Sequence, residues 1–445
     1  MKNLYFLVSF FLFFQFIHSQ EGVPFKENKQ LYIRGNSILI GNNILGDDAT
    51  EPLMDNTIAN DIVKMEYIDV DNDETTFSSS EASINNLPKN LRIAHAALYW
   101  CGLYPSEKIA LRKSGNRMIH VGRGERNPAI NSILFKTPNG AYETLNGRVI
   151  FDSYGTEVFT TNSPYVCYAD VTSKLQNLAS INGTYTIANI KATEGEISGG
   201  GSAGWLLYIV YEDASESSKY FTTYNGLVEV NKEAVELTFR DFKSKEEGIV
   251  NTTIALGAME GDRKIKTDEV SIFDKKIGSF KPLSNKVREE KNFFNSSITM
   301  GDEFFTGRNP NSTNTLGFDL LKMEIPNPNN ELLDNATTQA NLQFQAKADR
   351  FYLFFVAFET EINKEFLEEK TKTVNDTIIN ESVIVEILEP IEEEPINTVI
   401  LTKKKETKPI QNNTPAIKKP KENVTPKKPI VLSEEDKIKK EEKDE

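Results

Sequence analysis

The densest set of residues able to do chemistry lies at 67–82, YIDVDNDETTFSSSEA. Asp69, Asp71 and Asp73 place carboxylates at alternate positions, the spacing with which a loop wraps a hard cation in oxygen ligands. Thr75 would add a backbone carbonyl and Glu81 would close the shell. Ca2+ is the expected ion, because the stretch has no soft ligand. Glu74 stands where an EF-hand loop needs glycine, and Glu81 is displaced by one position from the bidentate glutamate, so this is not an EF-hand. A solvated acidic turn is the competing reading.

A second stretch, GGGSAG at 199–204, satisfies both the G-x-G-x-x-G and the G-x-S-x-G patterns. Both need the loop to open a helix, and here it opens the apolar run WLLYIVYED, which reads as a strand. A serine nucleophile would also need a histidine. His95 sits mid-strand among alanines and His120 has no recognisable partner, so the loop reads as a connection into a central strand. Paired carboxylates for glycoside chemistry need two acids across a cleft. Glu260, Asp262, Glu212 and Asp213 lie beside strand ends, and nothing in the sequence singles out a pair. No catalytic residue is assigned, and the chain is not expected to be an enzyme. The tryptophans, Trp100 and Trp205, read as buried, so they do not mark a sugar-stacking surface.

The elements that must position these residues are strands. From about residue 27 to 360, short apolar runs alternate with Gly, Asn, Asp, Ser and Pro, the pattern of an all-β chain. Arg92–Trp100 is apolar on both faces, with Ile93, His95, Ala97 and Tyr99 opposed to Ala94, Ala96, Leu98 and Trp100. Trp205–Tyr211 and Phe351–Phe358 are continuous apolar runs, as central sandwich strands are. Asn225-Gly226 after Lys219–Tyr224 signals a hairpin. The fold class expected is two β-sandwich, jelly-roll-like units, 20–225 and 226–361, preceded by a signal peptide at 1–19 and followed by a disordered tail at 362–445.

The leader has one charge, Lys2, before an apolar run from Leu4 to Ile17, too short to span a bilayer and followed by polar chain. Export is therefore expected, with no transmembrane span in the mature chain. In an oxidising compartment Cys101 and Cys167, the only cysteines among 445 residues, are expected to form a disulfide, worth about 4 kcal/mol on the loop-entropy argument.

With only two cysteines and three histidines, a structural zinc or iron–sulfur site is excluded. The formal charge of −14 argues against nucleic acid as a partner. The charge is unevenly placed. Residues 361–400 hold eleven acids against three lysines, and residues 401–445 hold thirteen lysines among prolines. The lysine blocks form a locally basic arm able to touch an anionic surface, with a solvated tether as the plainer reading. SVIVEIL at 382–388 has strand character and could join another sheet edge.

Several segments, read in order, resemble the N-terminal region of the large secreted adhesin-like surface proteins of gliding Bacteroidetes, associated with type IX secretion and gliding motility. They are YIDVDNDETTFSSS (67–80), AALYWCGLY (96–104), YVCYADVT (165–172), GTYTIANI (183–190), SAGWLLYIVYED (202–213), AMEGD (258–262), GRNPNSTNTLGFD (307–319) and ADRFYLFFVAFE (348–359). The resemblance implies an exported β-rich module for adhesion or envelope contact, with a surface protein or a glycan as partner. Members of that group continue into repeats and a C-terminal sorting domain, whereas this chain ends in a Lys/Pro/Glu tail. That departure leaves the cell surface, the outer membrane and the periplasm all open. The alternatives are a periplasmic or outer-membrane accessory subunit of a secretion or gliding apparatus docked by the lysine-rich tail, and a carbohydrate-binding or carbohydrate-active jelly-roll protein.

Overall fold

A computed structural model of the chain describes residues 22–88, 91–159 and 161–372. The leader and the chain beyond 372, with its SVIVEIL segment and lysine blocks, lie outside the described residues. The fold is all-β. One eleven-stranded hydrogen-bonded array runs in the order Arg148–Asp152, Pro164–Asp170, Arg92–Leu103, Ala203–Glu212, Gly22–Asn43, Ser218–Val230, Phe351–Glu361, Thr252–Met259, Phe318–Glu324, Ile298–Met300, Glu303–Phe304.

That array folds back on itself along its fifth strand. Arg34 pairs with Ser218, while the next residue, Gly35, pairs with Glu212 on the other neighbour. A Cβ at Gly35 would lie 2.0 Å from the Tyr211 carbonyl oxygen, so only glycine permits the crossing. The two halves then face each other. Tyr99, Leu206 and Tyr208 from one half pack with Phe221, Leu320 and Phe355 from the other, and Tyr99 and Phe355 rings lie 5.0 Å apart.

Each half is covered on its far side by a smaller sheet. Ser79–Ile84, Ser132–Lys136 and Gly183–Ala188 carry Ala82, Phe135 and Tyr185 onto Leu98, Trp100 and Leu207. Val235–Phe239, Glu269–Asp274 and Ala340–Gln345 carry Val235, Ile272 and Phe344 onto Val228, Leu256 and Val356. The inner strands are covered on both faces, which is why their sequences lose the alternation of half-buried strands. Each large apolar side chain so buried contributes roughly 1.5–3 kcal/mol.

Four sequence expectations change. The division at 225 falls inside the strand Ser218–Val230. The turn between the sandwiches is at 213–217, and the units are not contiguous: Gly22–Arg34 joins the second, while Arg308–Asn309 and Leu316 return to the first. Asn225-Gly226 is a bulge, since both neighbouring strands shift register there. Asn225 accepts a hydrogen bond from the Tyr99 hydroxyl, and a Cβ at Gly226 would meet the Val23 carbonyl oxygen at 2.9 Å. A further bulge between His95 and Ile93 moves Ile93 onto the face of Leu98 and Trp100. Residues 364–372 are helical, because Asn363 caps the Phe366 amide at 3.0 Å and Phe366 packs edge-on to Tyr32.

The disulfide is also corrected: Cys101 and Cys167 are free thiols. They lie on adjacent strands, but Cys101 pairs with Val166 and Cys167 with Trp100. Their side chains therefore leave opposite faces of one sheet, Cys101 into the central core and Cys167 beneath the Trp100 face. Burial pushes both thiols up, which suppresses the reactive thiolate. Iodoacetamide is expected to label neither in the native chain and both after denaturation without reductant, counted by mass spectrometry.

Candidate functional site

The acidic loop is held by its own hydrogen bonds. The Asp69 carboxylate accepts from the Ser79 hydroxyl at 2.8 Å, and Asp71 accepts from the Asp73 amide at 3.0 Å, from the Thr76 hydroxyl at 3.1 Å and from the Tyr142 hydroxyl. Asp73 turns outward and caps the Thr75 amide at 2.9 Å. The Glu81 carboxylate accepts from Thr186 and Asn309. The fold thus brings Asp69 and Asp71 together and leaves Asp73, Thr75 and Glu81 with other partners. Burial and the neighbouring Asp71 raise the Asp69 carboxyl above its ordinary value. Burial acts against ionisation of Asp71 as well, but the hydrogen bonds from Tyr142 and Asp73 prevail and hold it low. Among the described residues, no group of three or more acidic, imidazole or thiol side chains is arranged to hold a metal ion.

What the loop does is present an aromatic ring. Asp69–Ser79 closes on itself through the Asp69 and Ile68 contacts to Ser79, and the Phe77 amide is pinned to Asn189 Oδ1 at 2.9 Å. Phe77 is left 43% exposed, edge-on to Tyr67 with ring centroids 5.1 Å apart. The two rings wall a groove of about 540 Å3, completed by Glu66, Tyr104, Glu107, Asn127, Lys191 and Glu194. Tyr67 is fixed by donating to the Ala192 carbonyl at 2.6 Å, and Tyr104 by donating to Glu107 at 2.5 Å.

Two of the groove's three carboxylates are ion-paired. Glu66 pairs with Lys64 at 3.3 Å, Glu194 with Lys108 at 2.9 Å, and Glu107 accepts from Tyr104 and the Asn127 amide. Lys191 donates to the Ala129 carbonyl at 2.8 Å, with its ammonium 6.0 Å from the Phe77 ring centre. The groove therefore offers hydrogen-bond acceptors and an apolar ring face, with Glu66 and Glu194 ion-paired and Glu107 and Lys191 held by neutral hydrogen-bond partners.

No family model and no curated protein matches this chain. Among solved structures, one titled as PNGF-II is 12% identical, with a TM-score of 0.20, over 74% of this chain. The match spans 66% of the PNGF-II chain. At that score the likeness carries no argument about fold or chemistry.

The other sequence candidates are structural. Ser202 is buried beside Ala203, which pairs with Gly102, whereas His95 pairs with Val210 near the far end of those strands. Serine and histidine are thus about 26 Å apart along the sheet. His95 is buried with Nδ1 3.8 Å from Asp170, and burial lowers it to about 4, so it is neutral near pH 7. His120 lies exposed on a hairpin with Nδ1 2.8 Å from the Glu196 carbonyl. Glu212 is paired with Arg92 at 2.7 Å, and Asp213 caps an exposed turn. Glu260 and Asp262 do converge, with Asp268, Asp349 and Arg350, just past the strand Thr252–Met259. Burial raises Glu260 well above the carboxylate range, while burial and the hydrogen bond with Asp349 push Asp262 up to about 8. The space they enclose is about 10 Å3, room for a single water and not for a sugar ring.

Sequence reasoning missed the groove because its members are scattered from Glu66 to Glu194 and meet only through the sheets. The one local signal was Phe77 itself, a lone phenylalanine in the polar run DETTFSSS.

Proposed function

We propose that this chain is an exported, non-enzymatic binding protein, an adhesin-like component of the bacterial cell surface or envelope, and that it holds a carbohydrate in the groove of Tyr67, Phe77 and Tyr104. The observation that carries this reading is the half-exposed Phe77 ring set against Tyr67 in a groove of about 540 Å3. Its volume lies within the ~300–1,000 Å3 of small-molecule sites, and an aromatic face ringed by carboxylate, amide and ammonium groups suits a sugar, whose ring face is apolar and whose hydroxyls both donate and accept. A larger groove of about 570 Å3, lined by Glu216, Lys322, Glu359 and Glu361, has no aromatic wall and is not the favoured site.

The apolar leader and the resemblance to secreted surface proteins support export. Among the described residues no helix is long and apolar enough to cross a membrane. The narrow space between Asp262 and Asp349 favours binding over glycoside cleavage, which needs a ring and a water between two carboxyls. Calcium is an addition to this reading. A rise in melting temperature on adding Ca2+, lost in Asp71→Ala, would place the ion beneath the loop that carries Phe77.

The test is a glycan array probed with the mature chain, with product analysis of every bound glycan. Bound glycans recovered intact are expected. For the best of them, Phe77→Ala is expected to weaken affinity about tenfold, equivalent to ~1.4 kcal/mol, with the melting temperature lowered by only a few degrees, since the half-exposed ring gives up one edge-on contact with Tyr67. Binding that survives Phe77→Ala, or cleaved product, would overturn the assignment.

A further inference from the structure

The strands Lys108–Ser114 and Arg117–Arg123 form a hairpin that neither sandwich covers. Its sequence, KIALRKSGNRMIHVGR, holds five Lys or Arg residues and no acid, in a chain of net charge −14. Lys108, at its base, is paired with Glu194. Toward the tip, Arg112, Lys113 and Arg117 are all exposed, and among the described residues no carboxylate forms an ion pair with them. Between them stand three large apolar side chains facing water: Leu111 at 42%, Met118 at 58% and Ile119 at 43% exposure. The cross-strand register seats Ile119 opposite Arg112 and Met118 opposite Lys113, so both faces of the ribbon combine a cation with an apolar side chain.

We infer that this hairpin docks on an anionic lipid surface, its arginines and lysine against phosphate headgroups and Leu111, Met118 and Ile119 in the boundary beneath them. Charge complementarity selects an anionic partner, since a cationic tip on an acidic body is oriented toward negative potential. The apolar residues select lipid over an acidic polypeptide. A purely ionic contact gains nothing from exposed Met and Ile, whereas an interfacial element gains both from headgroup attraction and from apolar burial. A positively charged edge strand also repels the same edge of a second copy, so pairing between copies is disfavoured.

The experiment is co-sedimentation of the full mature chain with vesicles of phosphatidylcholine alone and of phosphatidylcholine with phosphatidylglycerol. The lysine-rich tail is present in every sample, so the hairpin is read by substitution. Binding only to the phosphatidylglycerol vesicles is expected, with Arg112→Glu/Arg117→Glu lowering the partition about 30-fold at low salt. Met118→Ser/Ile119→Ser is expected to lower it several-fold with the salt dependence kept. Equal binding by wild type and both variants would assign the contact to the tail and overturn the inference. Equal binding to both vesicle types, or capture by polyglutamate without vesicle binding, would overturn it as well. Melting curves of the variants matching wild type would show that the hairpin change leaves the sandwiches folded.

Discussion

Asp319→Ala is expected to destabilise the protein by ~3–5 kcal/mol, because it breaks an ion pair at the centre of the second sandwich. Asp319 and Arg288 are both fully buried and paired at 2.9 Å. The carboxylate also accepts from the amides of Asn295 at 3.1 Å, Ser296 at 3.0 Å and Ser297 at 3.2 Å. The guanidinium spends its remaining donors on Thr299 Oγ1 at 2.8 Å and on the carbonyls of Phe293 at 2.6 Å, Ser297 at 2.7 Å and Leu320 at 3.2 Å. Removing the carboxylate leaves a cation without a counterion in the core and three backbone donors unsatisfied. Removing both partners, as Arg288→Met/Asp319→Leu, is expected to cost less than Asp319→Ala alone, because no orphaned charge remains. Urea midpoints of the three proteins test this. A loss below about 1 kcal/mol for Asp319→Ala would show that the pair is not the brace the structure displays. The same pair positions the carboxyl cluster, since Ser296, held by Asp319, donates to the Gly261 carbonyl at 2.5 Å between Glu260 and Asp262.

Stability is expected to fall as pH rises from about 4 to about 8, and the part of that fall between pH 6.5 and 8 reports on buried carboxyls. Asp262 is raised to about 8 by burial and by Asp349, and Asp268 to about 7 by burial, with its hydrogen bond to the Phe294 amide opposing that shift. Their unfolded values are near 3.8. A carboxyl whose folded pKa is raised binds more proton when folded. Its stabilising contribution is full below the unfolded pKa and is lost as pH rises toward the folded one. His95 has the opposite sense: lowered to about 4 by burial, it withdraws stability only as pH falls below its ordinary 6.5. Above 6.5 His95 no longer opposes them, and Glu260, also raised by burial, acts in the same direction. The fall there is about 2 kcal/mol, after discounting for the partial exposure of Asp262. Asp262→Asn is expected to flatten the profile and to raise stability at pH 8.5. A profile that rises over this interval, or one that Asp262→Asn leaves unchanged, would contradict the assignment.

Much of the sheet architecture was legible because fully covered strands are written as unbroken apolar runs. Trp205–Tyr211 and Phe351–Phe358 could be nothing else at that length, and they lie in the two halves of the array whose inner faces meet. What misled were local signals with two physical meanings. Asn225-Gly226 suits a hairpin and a bulge equally, and only the long neighbouring strands on both sides decide for the bulge. An even pair of cysteines says nothing of which face each side chain leaves, and one step of register separates Cys101 from Cys167. Alternate aspartates serve a cation-binding loop and a self-capping turn alike. At 69–79 local hydroxyls and amides donate to Asp69, Asp71 and Asp73 and the closed loop presents Phe77, while the Ca2+ melting test with Asp71→Ala decides between the two meanings. The groove was illegible for a different reason. Glu107, Asn127, Lys191 and Glu194 acquire meaning only from the packing that brings them beside Tyr67.

The central claim is that this groove is where the protein binds. Hydrogen–deuterium exchange with and without the array-selected glycan tests it most directly, because amide protection reports location independently of affinity. Slowed exchange confined to 66–79, 104–107, 127 and 191–194, and absent in Phe77→Ala, is the expected result. Protection centred on Glu260–Asp262 and Asp349, or on the Lys322 and Glu359 groove, would contradict it.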